Sequence, residues 1–149
     1  MSARAIASTI FAASIGLGLI PSAPLPALAS AEPSEVVSDD HGGYLVDYAT
    51  RMETLRKAGR KVSFNGRCDS ACTLFLALPI QQTCITPAAY FGFHAPSAPS
   101  PSAAAAAEAY LMMKYPGWVR AWISSKGGLT TTVMTMDYAY ASRYLKSCT

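Results

Sequence analysis

The sequence is short of charge. Asp, Glu, Lys and Arg make up only 14% of its 149 residues, and the formal net charge is +3. With 51% hydrophobic residues beside so little charge, an intrinsically disordered chain is excluded. A surplus of three positive charges is too small for a nucleic-acid-binding surface. There is no internal repeat, and beyond the first thirty residues no apolar run approaches membrane-spanning length. The Gly-x-Ser-x-Gly elbow of an α/β-hydrolase is also missing, because Cys68 stands where that pattern needs Gly. The length leaves room for one domain.

What is present begins with an address. Arg4 precedes an uncharged apolar run over residues 5–20, followed by a stretch rich in Ala, Ser and Pro. Ala27-Leu28-Ala29 matches the small-x-small cleavage pattern, with Ala29-Ser30-Ala31 as the alternative. This order predicts a secretory signal peptide over residues 1–29, cut after Ala29 or Ala31, and a periplasmic or secreted product with no membrane attachment after cleavage. Cutting after Ala29 leaves 120 residues carrying 11 basic and 9 acidic side chains. All four cysteines lie in this remainder, where an oxidising compartment favours disulfides.

The remainder, residues 30–149, reads as one α/β domain. A short strand is expected at residues 35–38. A helix follows over residues 44–58, with Leu45, Tyr48, Ala49, Met52 and Leu55 on one face and Gly59 as its stop. Residues 61–64 alternate as a strand, 65–69 turn the chain, 70–78 suit a buried helix, and 84–93 return to strand character. This strand–helix alternation predicts a small, mainly parallel sheet built from βαβ units. Residues 95–102 form a low-complexity loop, and 103–115 a helix stopped by Pro116. Residues 118–124 continue helically, Thr130 is placed to cap a further short helix, and 137–146 predict a helical ending.

Three features converge in such a sheet. Gly42-Gly43, the segment Gly66 to Cys72 around Ser70, and Gly92-Phe93-His94 each end a strand. They therefore share the carboxyl edge, where open α/β sheets bind ligands. Ser70 opens a helix, beside free amide groups and the positive end of its dipole. The Gly42-Gly43 turn permits close approach, so the amides of Gly43 and Ala71 are candidate oxyanion donors. His94 is the candidate general base, and Asp137, the only acid after Glu108, the candidate orienter. Asp69 and Asp47 read as surface or capping groups.

In order and spacing, Gly42-Gly43, Ser70 within Gly-x-x-x-Ser-Ala, and His94 after an apolar strand, 24 residues on, are similar to the Gly-Gly, nucleophile Ser and His of Clp-type peptidases. The chain resembles the Clp protease proteolytic subunit and crotonase superfamily, in particular its exported bacterial branch. The resemblance covers residues 35–96 well and 103–146 weakly, with the family's first strands reduced to residues 35–38. It implies a spiral fold of ββα units, a Ser-His-Asp peptidase acting on peptide or small acyl substrates, and homo-oligomeric rings. Nothing resembles an ATPase docking surface, so the expected activity is ATP-independent and needs no cofactor. The alternative is a non-catalytic member that keeps the fold as a binding or assembly module.

Four cysteines allow three disulfide connectivities. The βαβ reading puts Cys84 at the far end of the Ser70 helix. That favours Cys84–Cys148 and leaves Cys68 and Cys72 to pair or stay reduced. Two rival readings use the thiols instead: zinc held by Cys68, Cys72, Cys84 and His94, or a Cys72 thiolate nucleophile. His41 before Gly-Gly has the look of an esterase oxyanion turn. The aromatic residues Trp118, Trp122, Tyr138, Tyr140 and Tyr144 read as core or interface rather than a ligand platform.

Overall fold

The computed structural model describes residues 34–149. The expected signal segment, residues 1–29 with cleavage after Ala29 or Ala31, lies outside them. No helix of the described residues is long and apolar enough to cross a membrane.

The chain enters on β1 (Glu35–Asp40), turns at Gly42-Gly43, and winds into α1 (Leu45–Ala58). Met52 and Leu55 are buried on the inner face of α1, with Leu45, Tyr48 and Ala49 half-buried against the same core. Gly59 ends the helix in the left-handed region, where a residue without Cβ is least strained. Then comes β2 (Val62–Asp69), the central strand.

Here the expected turn at residues 65–69 is replaced by strand. Inward burial persists at Val62, Phe64, Gly66 and Cys68, so the chain stays extended to Asp69. The Asn65-Gly66 pair is a β-bulge: Val37 faces Phe64 and Asp39 faces Arg67, leaving two residues of β2 opposite Ser38 alone. A Cβ on Gly66 would run into the Ser38 carbonyl.

A tight 3₁₀ helix (Ser70–Ala77) follows at once, its residues Ala71 to Leu76 all buried. A helix this apolar on every side belongs inside a core. β3 (Thr83–Ile85) and β4 (Tyr90–Phe93) replace the single strand expected over residues 84–93. They lie one after the other along β2, β3 beside Val62–Phe64 and β4 beside Arg67–Asp69. The break falls at Pro87, which has no N–H to offer a ladder.

α2 (Pro101–Lys114) is capped by Ser100, whose Oγ accepts from the Ala103 amide, and α3 (Gly117–Ser125) follows beyond Pro116. Thr130 opens no helix. The β-branched run of Thr131, Thr132 and Val133 leads instead into β5 (Met134–Met136). The helical ending is likewise confined to one turn, α4 (Tyr138–Ala141), before β6 (Lys146–Ser147) joins β3.

The class is α/β, as expected. Where strand–helix alternation predicts a mainly parallel sheet, the sheet is mixed. β1, β3 and β4 run parallel to β2 and β6 parallel to β3, while β5 runs antiparallel to β4. The core fills one face of this sheet with Phe64, Phe75, Phe91, Phe93, Leu74 and Ile123, each fully buried. Phe64 meets Phe91 edge-on with ring centroids 5.0 Å apart.

Two disulfides close the fold, Cys68–Cys72 and Cys84–Cys148. The second is the pair favoured by the sequence, and the first resolves the choice left open there. The zinc and thiolate readings are overturned: no free cysteine remains, and among the described residues no cluster of three His, Cys, Asp or Glu is placed to hold a metal.

Candidate functional site

A cleft of about 370 Å³ opens at the carboxyl ends of β1, β2 and β4. Gly43, Ser70, Ala71 and His94 all line it. The parallel ladders bring them together, since Asp40 lies level with Cys68, and Asp69 with Gly92. Each of the three strands therefore delivers its next residues to one edge.

Ser70 sits where extended backbone becomes helix. Its φ is 56°, and it is the only described non-glycine residue with positive φ. A serine held in that region costs on the order of 1–3 kcal/mol and persists only where its surroundings enforce it. Strained strand–Ser–helix elbows of this kind expose a hydroxyl to the space above a sheet.

Gly42 explains part of the enforcement. A Cβ there would stand 2.6 Å from the Asp69 carbonyl oxygen, 2.7 Å from Ser70 Cβ and 2.8 Å from the Ala71 nitrogen. With φ of +79°, Gly42 is also in a conformation that side-chain-bearing residues rarely adopt. The Gly42-Gly43 turn thus lies directly on the Ser70–Ala71 turn. Asp40 pins it from behind, accepting from the Gly42 amide at 2.8 Å and from the Tyr48 hydroxyl at 2.5 Å. Burial first, and then the bond to Asp40, push the Tyr48 hydroxyl pKa up to about 12. The Gly43 amide makes no hydrogen bond among the described residues. The Ala71 amide belongs to the first turn of its helix, where an N–H has no carbonyl upstream to bond.

A buried relay holds the other side of Ser70. Thr73 Oγ1 donates to the Ser70 carbonyl at 2.6 Å and lies 2.6 Å from the Tyr115 hydroxyl. Thr73 has one hydroxyl proton, and the carbonyl takes it, so Tyr115 is the donor to Thr73. Burial pushes the Tyr115 pKa up to about 12, which keeps that proton in place.

His94 is half-buried, with Nδ1 2.8 Å from the Ala95 carbonyl oxygen. A carbonyl only accepts, so Nδ1 carries a proton and Nε2 is the nitrogen left to take one. No hydrogen bond joins Ser70 Oγ to His94 among the described residues.

Asp137 does not come to the cleft. It is exposed and caps α4, accepting from the Tyr140 amide at 2.9 Å. The antiparallel register explains this: Met134 lies beside Phe93, but Met136 lies beside Phe91. The chain therefore travels away from His94 before reaching Asp137. His41 is also outside the cleft, at the surface between Asp39 and Arg67. Asp69 tucks its carboxylate over Gly92, where a Cβ would collide with it, and approaches Arg67 Nε at 3.8 Å.

Most of the remaining wall is apolar, with Leu45, Phe93, Pro96, Ala107, Leu111 and the Tyr115 ring, beside the hydroxyl-bearing Tyr44, Thr73 and Ser97. No Asp, Glu, Lys or Arg lines the cleft. Ala107, Leu111 and Tyr115 recur every fourth residue, a spacing visible in the sequence that marks one face of α2 and its end. The low-complexity loop contributes Pro96 and Ser97. The pairing of Thr73 with Tyr115 carries no comparable signal, the two being 42 residues apart.

No protein-family model matches this chain, and no curated protein is significantly similar to it.

Proposed function

We propose that this protein is an exported, ATP-independent serine hydrolase acting on peptides or small acyl substrates, built on a Clp-peptidase/crotonase-like plan. The observation that carries the proposal is Ser70 itself: a strained serine at a strand–helix elbow, facing a cleft shared with His94 and two candidate oxyanion amides. The two disulfides support an oxidising destination.

In this reading Ser70 Oγ attacks the substrate carbonyl carbon while Nε2 of His94 takes the hydroxyl proton. The oxygen that gains negative charge is met by the amides of Gly43 and Ala71. Collapse of the tetrahedral intermediate returns the proton from His94 to the leaving group. A water molecule then repeats the sequence on the acyl-enzyme and frees Ser70. The Ala95 carbonyl takes the orienting role first given to Asp137, fixing the tautomer that leaves Nε2 basic. A neutral carbonyl stabilises an imidazolium less than a carboxylate does, so turnover is expected to be slow. The uncharged, apolar lining favours uncharged acyl groups or apolar peptide side chains.

One observation favours a second reading. The Ser70 hydroxyl and His94 are not bonded to each other, which suits a binding or assembly module as well as an enzyme whose imidazole swings in with substrate. Reaction of the secreted protein with a fluorophosphonate probe separates them. Labelling that disappears in Ser70→Ala supports the hydrolase. Absence of labelling at every pH at which the protein stays folded removes it and leaves the binding module.

A further inference from the structure

We infer that the Cys68–Cys72 disulfide is a positioning device for Ser70, holding the serine in its left-handed conformation, rather than a staple for the fold. The inference rests on Ser70 being the reactive residue of the cleft.

The two sulfurs bracket Ser70 symmetrically, two residues before it and two after. Their Cα atoms are 5.3 Å apart. Extended chain of that length would separate them by about 13 Å, so the bond demands a sharp reversal between them. Cys68 belongs to β2, and Asp69 is still extended at φ −106°, ψ 158°. The reversal therefore begins at Ser70, the residue with φ of 56°.

Hydrolase elbows commonly place glycine at these same two positions, where small residues relieve crowding around a strained serine. Here larger side chains stand at both, and they are joined. The bond also does less of what a fold staple does. It closes a loop with a sequence separation of only 4, so it removes about half as much freedom from the unfolded chain as the bond with a separation of 64. Both cysteines are fully buried, beneath the elbow rather than at a loop tip. Thr73 and Gly42 assist, but the Thr73 bond grips only the Ser70 carbonyl, and Gly42 merely leaves room. The disulfide adds a covalent tie across the same turn that the first backbone bond of the 3₁₀ helix spans.

The test compares two double variants of the full chain, Cys68→Ala/Cys72→Ala and Cys84→Ala/Cys148→Ala. Two quantities are read at a temperature where both are folded: the rate of fluorophosphonate labelling, and the Ser70 Cα and Cβ chemical shifts, which separate left-handed from right-handed backbone. The elbow variant is expected to keep its fold, label at least tenfold more slowly, and show Ser70 leaving the left-handed region. The tail variant is expected to label at the wild-type rate with Ser70 shifts unchanged. Unchanged Ser70 shifts in the elbow variant overturn the inference. If wild-type protein does not label at all, the hydrolase reading falls, and the shifts decide the positioning role alone. Should the alanine pair fail to fold, the near-isosteric Cys68→Ser/Cys72→Ser pair carries the same measurements.

Discussion

The two disulfides join the same kind of residue and act on opposite ends of the folding reaction. Cys68–Cys72 lies under the elbow, with 4 residues of sequence separation, and shapes the backbone beside the cleft. Cys84–Cys148 has a separation of 64 and fastens the tail to β3, next to the β3–β6 ladder. Loop-closure entropy makes the long bond worth about 4 kcal/mol and the short one about 2. A cross-link that constrains a large loop acts chiefly on the unfolded chain, whereas one across a single turn acts on local geometry. The cleft side of the molecule is thus tuned for shape and the tail side for persistence.

The largest expected effect breaks the tail. Cys84→Ala/Cys148→Ala should lose about 4 kcal/mol in denaturant unfolding, a drop in Tm on the order of 15 °C, with labelling intact below the new transition. Retained stability would mean that β6 and the core hold the tail unaided. Next, Gly42→Ala should cost about 3 kcal/mol, because its Cβ meets the Asp69 and Ala71 backbone and the Ser70 Cβ at positive φ. Unlike the tail variant, it should also abolish labelling, since relief requires the Ser70–Ala71 turn to move.

Alkaline pH probes the elbow from beneath. The native state holds the Tyr115 proton to about pH 12, whereas an unfolded tyrosine releases it near 10. The unfolded state therefore binds fewer protons between these values. Stability is full below pH 10 and falls by roughly 2–3 kcal/mol as pH rises to 12. Tyr48 adds a smaller, solvent-screened share in the same direction. Urea unfolding at pH 9 and pH 11.5 checks the sign, and Tyr115→Phe should flatten the slope. The smallest effect is that same Tyr115→Phe at neutral pH, about 1 kcal/mol for one buried hydrogen bond. It should slow labelling without lowering the Tm as far as the tail variant does.

Legibility in the sequence follows the range of the forces involved. The α1 stripe was readable because helical spacing alone puts Met52 and Leu55 on the buried side. The convergence of Gly43, Ser70 and His94 at one cleft was readable because parallel strands share a carboxyl edge. Asn65-Gly66 misled, since the dipeptide favours turns locally, but β1 on one edge and β3 and β4 on the other keep it extended with a bulge. The tail misled for a related reason. Its Tyr138, Ala141 and Leu145 have helical spacing, yet the bond to Cys84 and the ladder to β3 draw the chain out after one turn. The Thr73–Tyr115 relay depends on a contact between distant segments, and the exclusion of Asp137 on the antiparallel register of β5 against β4, neither of which a local pattern encodes.

The order of the cysteines along the chain has a further consequence. They pair first with second and third with fourth, so no bridge spans another. An oxidant that acts on the chain in order from its N-terminal side joins Cys68 to Cys72 before it reaches Cys84. Cys84 then waits for the only thiol still to come. Pairing thiols as they arrive reaches the native connectivity directly, and no isomerase is needed to correct it.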